Sequence, residues 1–343
     1  MMRARTHMRT EIEEIPQAVA RFLDRSDSVL EDVGQDLRRR APGFVVTVAR
    51  GSSAHAATYL KYAVELTAGL AVAPIGPSIA SIYGARLRLD RAACLAVSQS
   101  GKSPDIVALA ESAAEQGAVT IALTNTAGSP LTGVCDHAID IMAGPELSVA
   151  ATKTFVSSAV AGLALMAHAA GDETLLAALQ QLPKSLEQAV ACDWSALIEP
   201  FDRQSSLFIL GRGPSSAMAS EAALKFKETC GVHAEAYSAA EVMHGPMAMV
   251  GPGFPVLALA ARDAAEPSLV EAVDALADKQ AAAFATSERV TRAARLPFVS
   301  TGHPLTDPLP LIVSFYAFVE AFARHKGLNP DTPRNLQKVT ETI

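Results

Sequence analysis

The sequence predicts an α/β fold with two tandem, doubly wound parallel-sheet domains, and two observations lead to this prediction. Apolar runs such as FVVTVA (44–49) and CLAVS (94–98) alternate with helix-forming segments. Strands that are apolar throughout are typical of a parallel sheet covered by helices on both faces. The order strand, Arg-Gly, paired serines, Ala-rich helix occurs at 45–64 and again at 207–226. This internal repeat predicts two copies of one domain.

The individual elements follow from local signals along the chain. Thr10-x-x-Glu13 is a capping box that predicts the start of a helix, with Pro16 confining or bending its beginning. The run from Phe155 to Ala170 is short for a membrane span and contains polar side chains, so we predict a buried helix. Further strands are predicted at 118–125, 137–142, the start of 207–226 and 255–261, with 289–299 as a candidate for a later one, and helices are predicted to about Thr67, to Gly117 and over 152–170.

These elements set the predicted domain boundaries. The segment after residue 170 is polar and contains Pro183, which is typical of a helical connector. The predicted organisation is an amino-terminal helical segment (1–35), a first α/β domain (36–170), the connector (171–199), a second α/β domain (200–335) and a carboxyl-terminal tail (336–343).

Composition and charge limit the classes of protein to which the chain can belong. Half of its 343 residues are hydrophobic and 19% are charged, which indicates a globular protein. The net charge of −7 disfavours nucleic acid or an anionic membrane as a partner but allows a small anion at a local site. The four cysteines form no C-x-x-C pair, so we expect reduced thiols in a cytoplasmic protein and no zinc site. The amino terminus lacks an apolar core, so we expect no secretory signal.

The stretch SQSGKSPD (98–105) places hydroxyls and one glycine directly after a predicted strand. Ligands of an open parallel sheet bind beyond the carboxyl ends of its strands, where helix N-termini attract anions. The sequence therefore predicts a phosphate-binding loop, although the alternative is that these serines only cap helices. A nucleotide is disfavoured because neither a Walker lysine pattern nor a Gly-x-Gly-x-x-Gly motif occurs. The candidate phosphate ligands are Ser98, Gln99, Ser100 and Ser103, with Ser52 and Ser53 after the neighbouring strand.

Several longer blocks are distinctive: EIEEIPQA, GSSAHA, SQSGKSPD, ELSVAATKTF (146–155), GRGPSSAMASEAALKFKETCGVHAEAYSAAEVMHGPMAMV (211–250) and PRNLQKVTETI (333–343). In this order they resemble the sugar isomerase (SIS) domain family. The resemblance is specifically to the tandem-SIS isomerase half of glutamine–fructose-6-phosphate aminotransferase and to the SIS-type glucosamine-6-phosphate deaminases. It implies two flavodoxin-like SIS domains, a site without metal or cofactor, a homodimer, and a carboxyl-terminal tail over the active site.

The resemblance also implies roles for individual residues. Glu228 matches the acid/base that moves a proton between C1 and C2 of the sugar. His244 matches a histidine that helps to open the ring and comes from the neighbouring subunit, and Lys338 matches a lysine that forms a Schiff base with the open-chain ketose. Val149 and Ala150 match backbone contacts to the sugar. The hydroxyl loop and the Ser52-Ser53 pair match the phosphate contacts, with Ser52 where Thr is usual.

The residues by themselves leave other interpretations open. Glu221, Lys225 and Glu228 lie at i, i+4 and i+7 on one helix face, where a surface salt-bridge stripe is the alternative. Lys225 is a candidate substrate-binding residue or else the structural partner of Glu221. His244 is alternatively a packed or capping histidine, and Lys338 a solvated residue of a frayed tail.

The resemblance leads to one expected function and two alternatives. The related synthase carries a glutaminase domain ahead of its SIS pair, whereas only seven residues precede Met8. We therefore expect an amino-sugar-phosphate deaminase/isomerase that converts glucosamine 6-phosphate, or a close hexosamine 6-phosphate, to a ketose 6-phosphate and ammonia. One alternative is a fructosamine-6-phosphate deglycase or another phosphosugar isomerase. The other is a non-catalytic sugar-phosphate sensor, although residues 1–35 are too short for the DNA-binding helix-turn-helix that such regulators carry.

Overall fold

Two five-stranded sheets organise residues 5–338, the part of the chain that this computed structural model describes. The chain divides into two units, one around each sheet. Unit 1 comprises Gln17–Glu146, Lys153–Gln180 and the described part of Gln337–Ile343. Unit 2 comprises the described residues up to Pro16, Leu147–Thr152 and Gln181–Leu336.

Sheet 1 is built from β1 (Phe44–Val48), β2 (Val72–Pro74), β3 (Ala92–Val97), β4 (Val119–Thr124) and β5 (His137–Asp140). Its order is β2-β1-β3-β4-β5, and its neighbouring strands are parallel. The strands β3 and β4 are buried along their whole length because they are covered on both faces. The helices of this half are α1 (His7–Arg25), α2 (Asp27–Arg40), α3 (Gly51–Thr67), α4 (Ser78–Ser81), α5 (Pro104–Glu115), α6 (Pro130–Val134) and α7 (Lys153–Ala170).

Alternate residues of sheet 1 face opposite layers of helices. Val46 and Cys94 belong to a buried cluster with Ile106 of α5. Val45 and Leu95 instead face a cavity of about 430 Å³ that α2, α3 and α7 also line. Helices on both faces of an open parallel sheet confirm the predicted doubly wound fold.

Helix α7 is long and apolar enough, among the described residues, to cross a membrane. However, 83% of its 18-residue window is buried inside the structure. A Cβ at Gly162 would lie 2.3 Å from Cδ1 of Leu60, so α7 and α3 approach closely at this glycine. Helix α7 is therefore a core helix of unit 1, as the sequence predicted.

Sheet 2 repeats the topology of sheet 1. Its strands are β6 (Ser206–Gly211), β7 (His233–Ser238), β8 (Pro255–Ala258), β9 (Ala282–Ala285) and β10 (Ala294–Arg295), and its order is β10-β9-β8-β6-β7. Counted from the first strand of each unit, both sheets have the order 2-1-3-4-5, which confirms the predicted repeat. The helices of this half are α8 (Glu173–Val190), α9 (Ile198–Asp202), α10 (Ser215–Lys225), α11 (Ala239–Val242), α12 (Glu266–Ala277) and α13 (Pro308–His325).

The start of α1 differs from the sequence prediction. The helix begins at His7 rather than after Thr10, and Pro16 lies inside it. The hydroxyl of Thr6 accepts the Arg9 N–H at 3.0 Å, and the Asp331 carboxylate accepts the His7 N–H at 2.8 Å. The predicted capping box is therefore wrong, because two other side chains satisfy the first N–H groups of the helix one turn earlier.

Candidate functional site

The hydroxyl loop lies at the carboxyl edge of sheet 1, directly after β3. Ser98 is 5% exposed, and its Oγ accepts the Gly101 N–H at 3.2 Å. The carbonyl of Gln99 accepts the Asn125 N–H at 3.0 Å, which ties the loop to the end of β4. Ser103 precedes α5 but makes no side-chain capping hydrogen bond. The capping alternative therefore does not explain the hydroxyl of Ser103.

β1 and β3 are neighbours and lead into helices on opposite faces of the sheet, which is the position where open α/β sheets bind ligands. Ser52 and Ser53 lie in the first turn of α3, which starts at Gly51 with a φ of 54°. The buried carboxylate of Asp105, in the first turn of α5, pairs with the Arg50 guanidinium at the end of β1. This ion pair links the two loops, so the serine pair and the hydroxyl loop lie on one edge of sheet 1.

Gly101 makes the tightest approach in the hydroxyl loop. Its φ is 60°, and a Cβ there would lie 2.1 Å from Ser129 Oγ. We predict that Gly101→Ala lowers the affinity for inorganic phosphate and hexose 6-phosphates by about tenfold or more, because an alanine strains this backbone conformation and displaces the loop. Isothermal titration calorimetry measures this loss.

Gly128→Ala is the matched control for this prediction. Gly128 has a similar φ of 68°, but nothing lies within 4 Å of its added Cβ. We expect phosphate affinity to stay unchanged in this variant. Full affinity in Gly101→Ala, or an equal loss in both variants, would contradict the assignment of the loop to phosphate.

A second feature of unit 1 is a cavity of about 620 Å³ to which the hydroxyl loop contributes Gln99. Glu146 also lines this cavity, and its side chain is 0% exposed. Its carboxylate accepts the N–H of Thr154 at 3.0 Å and the Thr154 hydroxyl at 2.8 Å. Lys338 Nζ donates to Glu146 Oε2 at 2.9 Å. The structure therefore holds Lys338 at Glu146 rather than leaving it a frayed, solvated residue.

Unit 2 contains a buried ion cluster at the end of α10. Lys225 Nζ lies 3.3 Å from Glu221 Oε1 and hydrogen-bonds to Glu228 Oε2. The side chains of Glu221 and Lys225 are 0% exposed, whereas that of Glu228 is 22% exposed. The Tyr316 hydroxyl donates to Glu221 at 3.0 Å. The surface salt-bridge alternative is therefore wrong.

Glu228 also lies in an unusual backbone conformation. Helix α10 continues directly into a π-helical turn, Phe226–Cys230, which ends at Gly231 with a φ of 61°. Such turns are rare in proteins, but those that occur often lie at functional sites, because the inserted residue changes the direction of neighbouring side chains. No local sequence signal predicted this turn.

Lys225 acts as a fixed cation in this cluster. Burial alone would lower the pKa of Lys225, but the charges of Glu221 and Glu228 outweigh it and raise the pKa. The ammonium therefore stays protonated and orients Glu228. Since Glu221 and Glu228 both hold its ammonium, the structure supports the structural alternative for Lys225 rather than direct contact with a substrate.

The other candidates in unit 2 have different surroundings. The Val149 N–H donates to the Asp331 carbonyl at 3.1 Å, so a backbone contact from Val149 to a sugar would use its carbonyl. Ala150 is buried. His244 is exposed rather than packed, in the loop between α11 and the 3₁₀ turn Pro246–Met249. Unit 2 thus holds Val149, Ala150, Lys225, Glu228 and His244, and unit 1 holds Lys338 and the six candidate phosphate ligands.

The equivalent edge of sheet 2 has different chemistry. Arg262 and Asp263 follow β8 in the position where the hydroxyl loop follows β3. Burial, and then the nearby charges of Asp307 and Glu266, raise the pKa of Asp263. The Arg262 guanidinium lies 3.8 Å from the centre of the Phe298 ring and pairs with Glu266. This edge is rich in carboxylates and does not suit phosphate.

Sequence reasoning assigned no role to Arg50, Asp105 or Glu146. Glu146 opens the distinctive block ELSVAATKTF, and it is an acidic residue followed by a largely apolar stretch. That pattern was a usable signal for a buried carboxylate. No group of three or more potential metal-ligating His, Cys, Asp or Glu side chains occurs within residues 5–338.

The family of the chain follows from a direct match. The model of the SIS domain family matches residues 42–168 and 201–297. The chain belongs to the SIS domain family and carries two SIS domains in tandem, which confirms the predicted resemblance.

Known relatives refine this assignment. The glutamine–fructose-6-phosphate aminotransferase (isomerizing) of Halobacterium salinarum is 34% identical over 355 residues, which cover 97% of this chain and 58% of that protein. The chain therefore spans only part of the length of such relatives.

Two solved structures share the fold. A protein from Silicibacter pomeroyi DSS-3, assigned as a phosphosugar isomerase, is 60% identical with a TM-score of 0.93, over 95% of this chain and 100% of that one. The C-terminal domain of glucosamine-fructose-6-phosphate aminotransferase from Francisella tularensis is 24% identical with a TM-score of 0.86, over 96% of this chain and 99% of that one.

Proposed function

We propose that this protein is a phosphosugar isomerase that acts on an amino-sugar phosphate and releases ammonia as it forms a ketose phosphate. The observation that carries the proposal is Glu228, which Lys225 orients and which is the member of the buried cluster that reaches the surface. The hydroxyl loop supports a phosphate-bearing substrate. The relative from Halobacterium salinarum is named for isomerisation coupled to amino transfer on fructose 6-phosphate, which supports the amino-sugar class.

The proposed reaction balances with water as the only co-substrate. The sugar ring opens, a proton leaves C2, and a proton that has exchanged with water is delivered to C1, which converts the 2-amino aldose into a 2-imino sugar. Water adds to the imine and ammonia leaves, giving the ketose phosphate. Glu228 takes the proton from C2, exchanges it with water and delivers a proton to C1, because an ionised carboxylate serves as base and its protonated form as acid.

His244 fits this proposal as a residue supplied to a second copy of the chain. The side chain is exposed, and the neighbouring Met243 and Met249 are 36% and 62% exposed. Exposed apolar side chains beside a polar group suit a contact between subunits. We therefore propose a homodimer in which His244 assists ring opening in the partner.

Ammonia release tests the proposed function directly. We expect release from glucosamine 6-phosphate or galactosamine 6-phosphate at a rate well above that without protein, measured by a coupled glutamate dehydrogenase assay. A fructosamine 6-phosphate serves as the comparison substrate. Cleavage of that compound alone would indicate a deglycase, and binding of sugar phosphates without turnover would indicate a sensor. Either result would contradict the proposal.

A further inference from the structure

We infer that Glu146 is the residue that recognises the substrate's amino group, and that Lys338 and this amino group compete for its carboxylate. The inference rests on the proposed function and names the part of the substrate that the site selects. In the structure the Lys338 ammonium occupies the carboxylate at 2.9 Å. A 2-ammonium group on a sugar phosphate carries the same charge and the same kind of N–H donors.

The burial of Glu146 is the first step of the argument. Its side chain is 0% exposed, and a carboxylate removed from water needs charge-assisted hydrogen bonds. Thr154 supplies two donors, its N–H and its hydroxyl. The Lys153 Nζ donates to the carbonyl of Pro145, the residue before Glu146, at 2.8 Å. These contacts fix the carboxylate in place, so it is a preorganised acceptor for a cation.

The position of Lys338 in the chain is the second step. Lys338 follows α13 in a stretch that forms no helix or strand among its described residues, and its side chain is 26% exposed. Lysine carries its charge on a flexible stem with several rotatable bonds. Its ammonium is therefore a contact that a ligand can displace, whereas Thr154 lies in helix α7 and stays in place.

The cavity supplies the third step. Glu146 and Gln99 line the same space of about 620 Å³, which lies in the range that holds a small-molecule ligand. Gln99 belongs to the candidate phosphate loop, and the wall carries charges of both signs, since Arg21 and Arg25 lie there with Asp140. A cavity that Gln99 of the candidate phosphate loop shares with the buried Glu146 carboxylate suits a ligand with a phosphate at one end and an ammonium group at the other. Phosphates of sugars without an amino group lack the ammonium group.

Binding of two matched ligands tests the inference without requiring turnover. The probes are 2-amino-2-deoxyglucitol 6-phosphate and glucitol 6-phosphate, which differ only in the amino group, and calorimetry with the full chain gives the ratio of their dissociation constants. In Glu146→Gln we expect the preference for the amino ligand to fall by about tenfold or more, because a charge-assisted hydrogen bond is lost. In Lys338→Met we expect the preference to rise severalfold, because the internal competitor is gone.

The half-exposed ion pair Lys61–Glu65 of α3 provides matched controls. Both side chains are 31% exposed, and Nζ lies 2.6 Å from the carboxylate. We expect Glu65→Gln and Lys61→Met to leave the ratio unchanged. If Glu146→Gln unfolds the protein, Lys338→Met still decides the question.

Four outcomes would overturn the inference. An unchanged ratio in Lys338→Met would show that the lysine does not compete with the amino group. An unchanged ratio in a folded Glu146→Gln would show that the carboxylate does not recognise it. Binding of both ligands by the wild type without any preference would overturn the inference alone, whereas binding of neither would overturn the proposed function with it.

Discussion

Replacing Glu228 with Gln is expected to lower the rate of ammonia release by about a thousandfold, because an amide cannot accept and return the proton that moves between C2 and C1. Gln has nearly the same shape, and Lys225 keeps its contact with Glu221, so we expect the dissociation constant for sugar phosphate to change by less than about threefold. Proton NMR in deuterated water follows the proton transfer separately from ammonia release, because deuterium enters the sugar carbon only if the base exchanges a proton there.

Glu187→Gln is the control for this variant. Glu187 is an exposed carboxylate on α8 in the same unit, so its loss should leave the rate unchanged. If Glu228→Gln kept more than about a tenth of the wild-type deuterium exchange, another group would be the base. If exchange and binding failed together, Glu228 would be a structural residue of the π turn.

The sequence was informative about the fold where burial is uniform. The strands β1, β3 and β4 and helix α7 were predicted because their apolar runs are long and their neighbours contain clear breaks. Strand β7, HAEAYS, was missed because it lies at the edge of its sheet, where half-buried positions accept polar residues. Strand β9, AAFA, was missed because alanine favours helices and its pairing with β8 decides its structure.

In the candidate site, features encoded by contiguous residues were predictable, whereas contacts between distant residues were not. The hydroxyl loop was predictable because its residues are contiguous and their chemistry depends on one strand end. The contact between Glu146 and Lys338 joins residues 192 positions apart, and no local pattern encodes it. The Glu221–Lys225 spacing is common on exposed helices, so sequence alone favoured a surface pair. Only the packing of α10 and α13, visible in the Tyr316–Glu221 contact, shows that this pair is buried.

Lys225→Met is expected to lower the free energy of unfolding by about 3–5 kcal/mol, because it leaves the buried Glu221 carboxylate without the ammonium that balances its charge. The pKa of Lys225 is raised in the folded chain, so the stabilisation is fully present below the unfolded-state pKa and is lost as the pH rises through the folded value. We therefore expect the difference between wild type and variant to persist at neutral pH and to shrink only in alkali. Urea titrations at several pH values measure it.

A double variant distinguishes charge from packing in this cluster. Adding Glu221→Gln to Lys225→Met removes the carboxylate charge that the lysine balances, while keeping the Tyr316 hydroxyl within reach of an amide oxygen. If charge causes the loss, the double variant is more stable than Lys225→Met alone, and the coupling in the cycle is about 1 kcal/mol or more. If packing of the lysine stem causes it, the double variant is no better than the single one. Lys61→Met, in a half-exposed pair, should cost less than about 1 kcal/mol, so a comparable loss there would contradict the importance of burial.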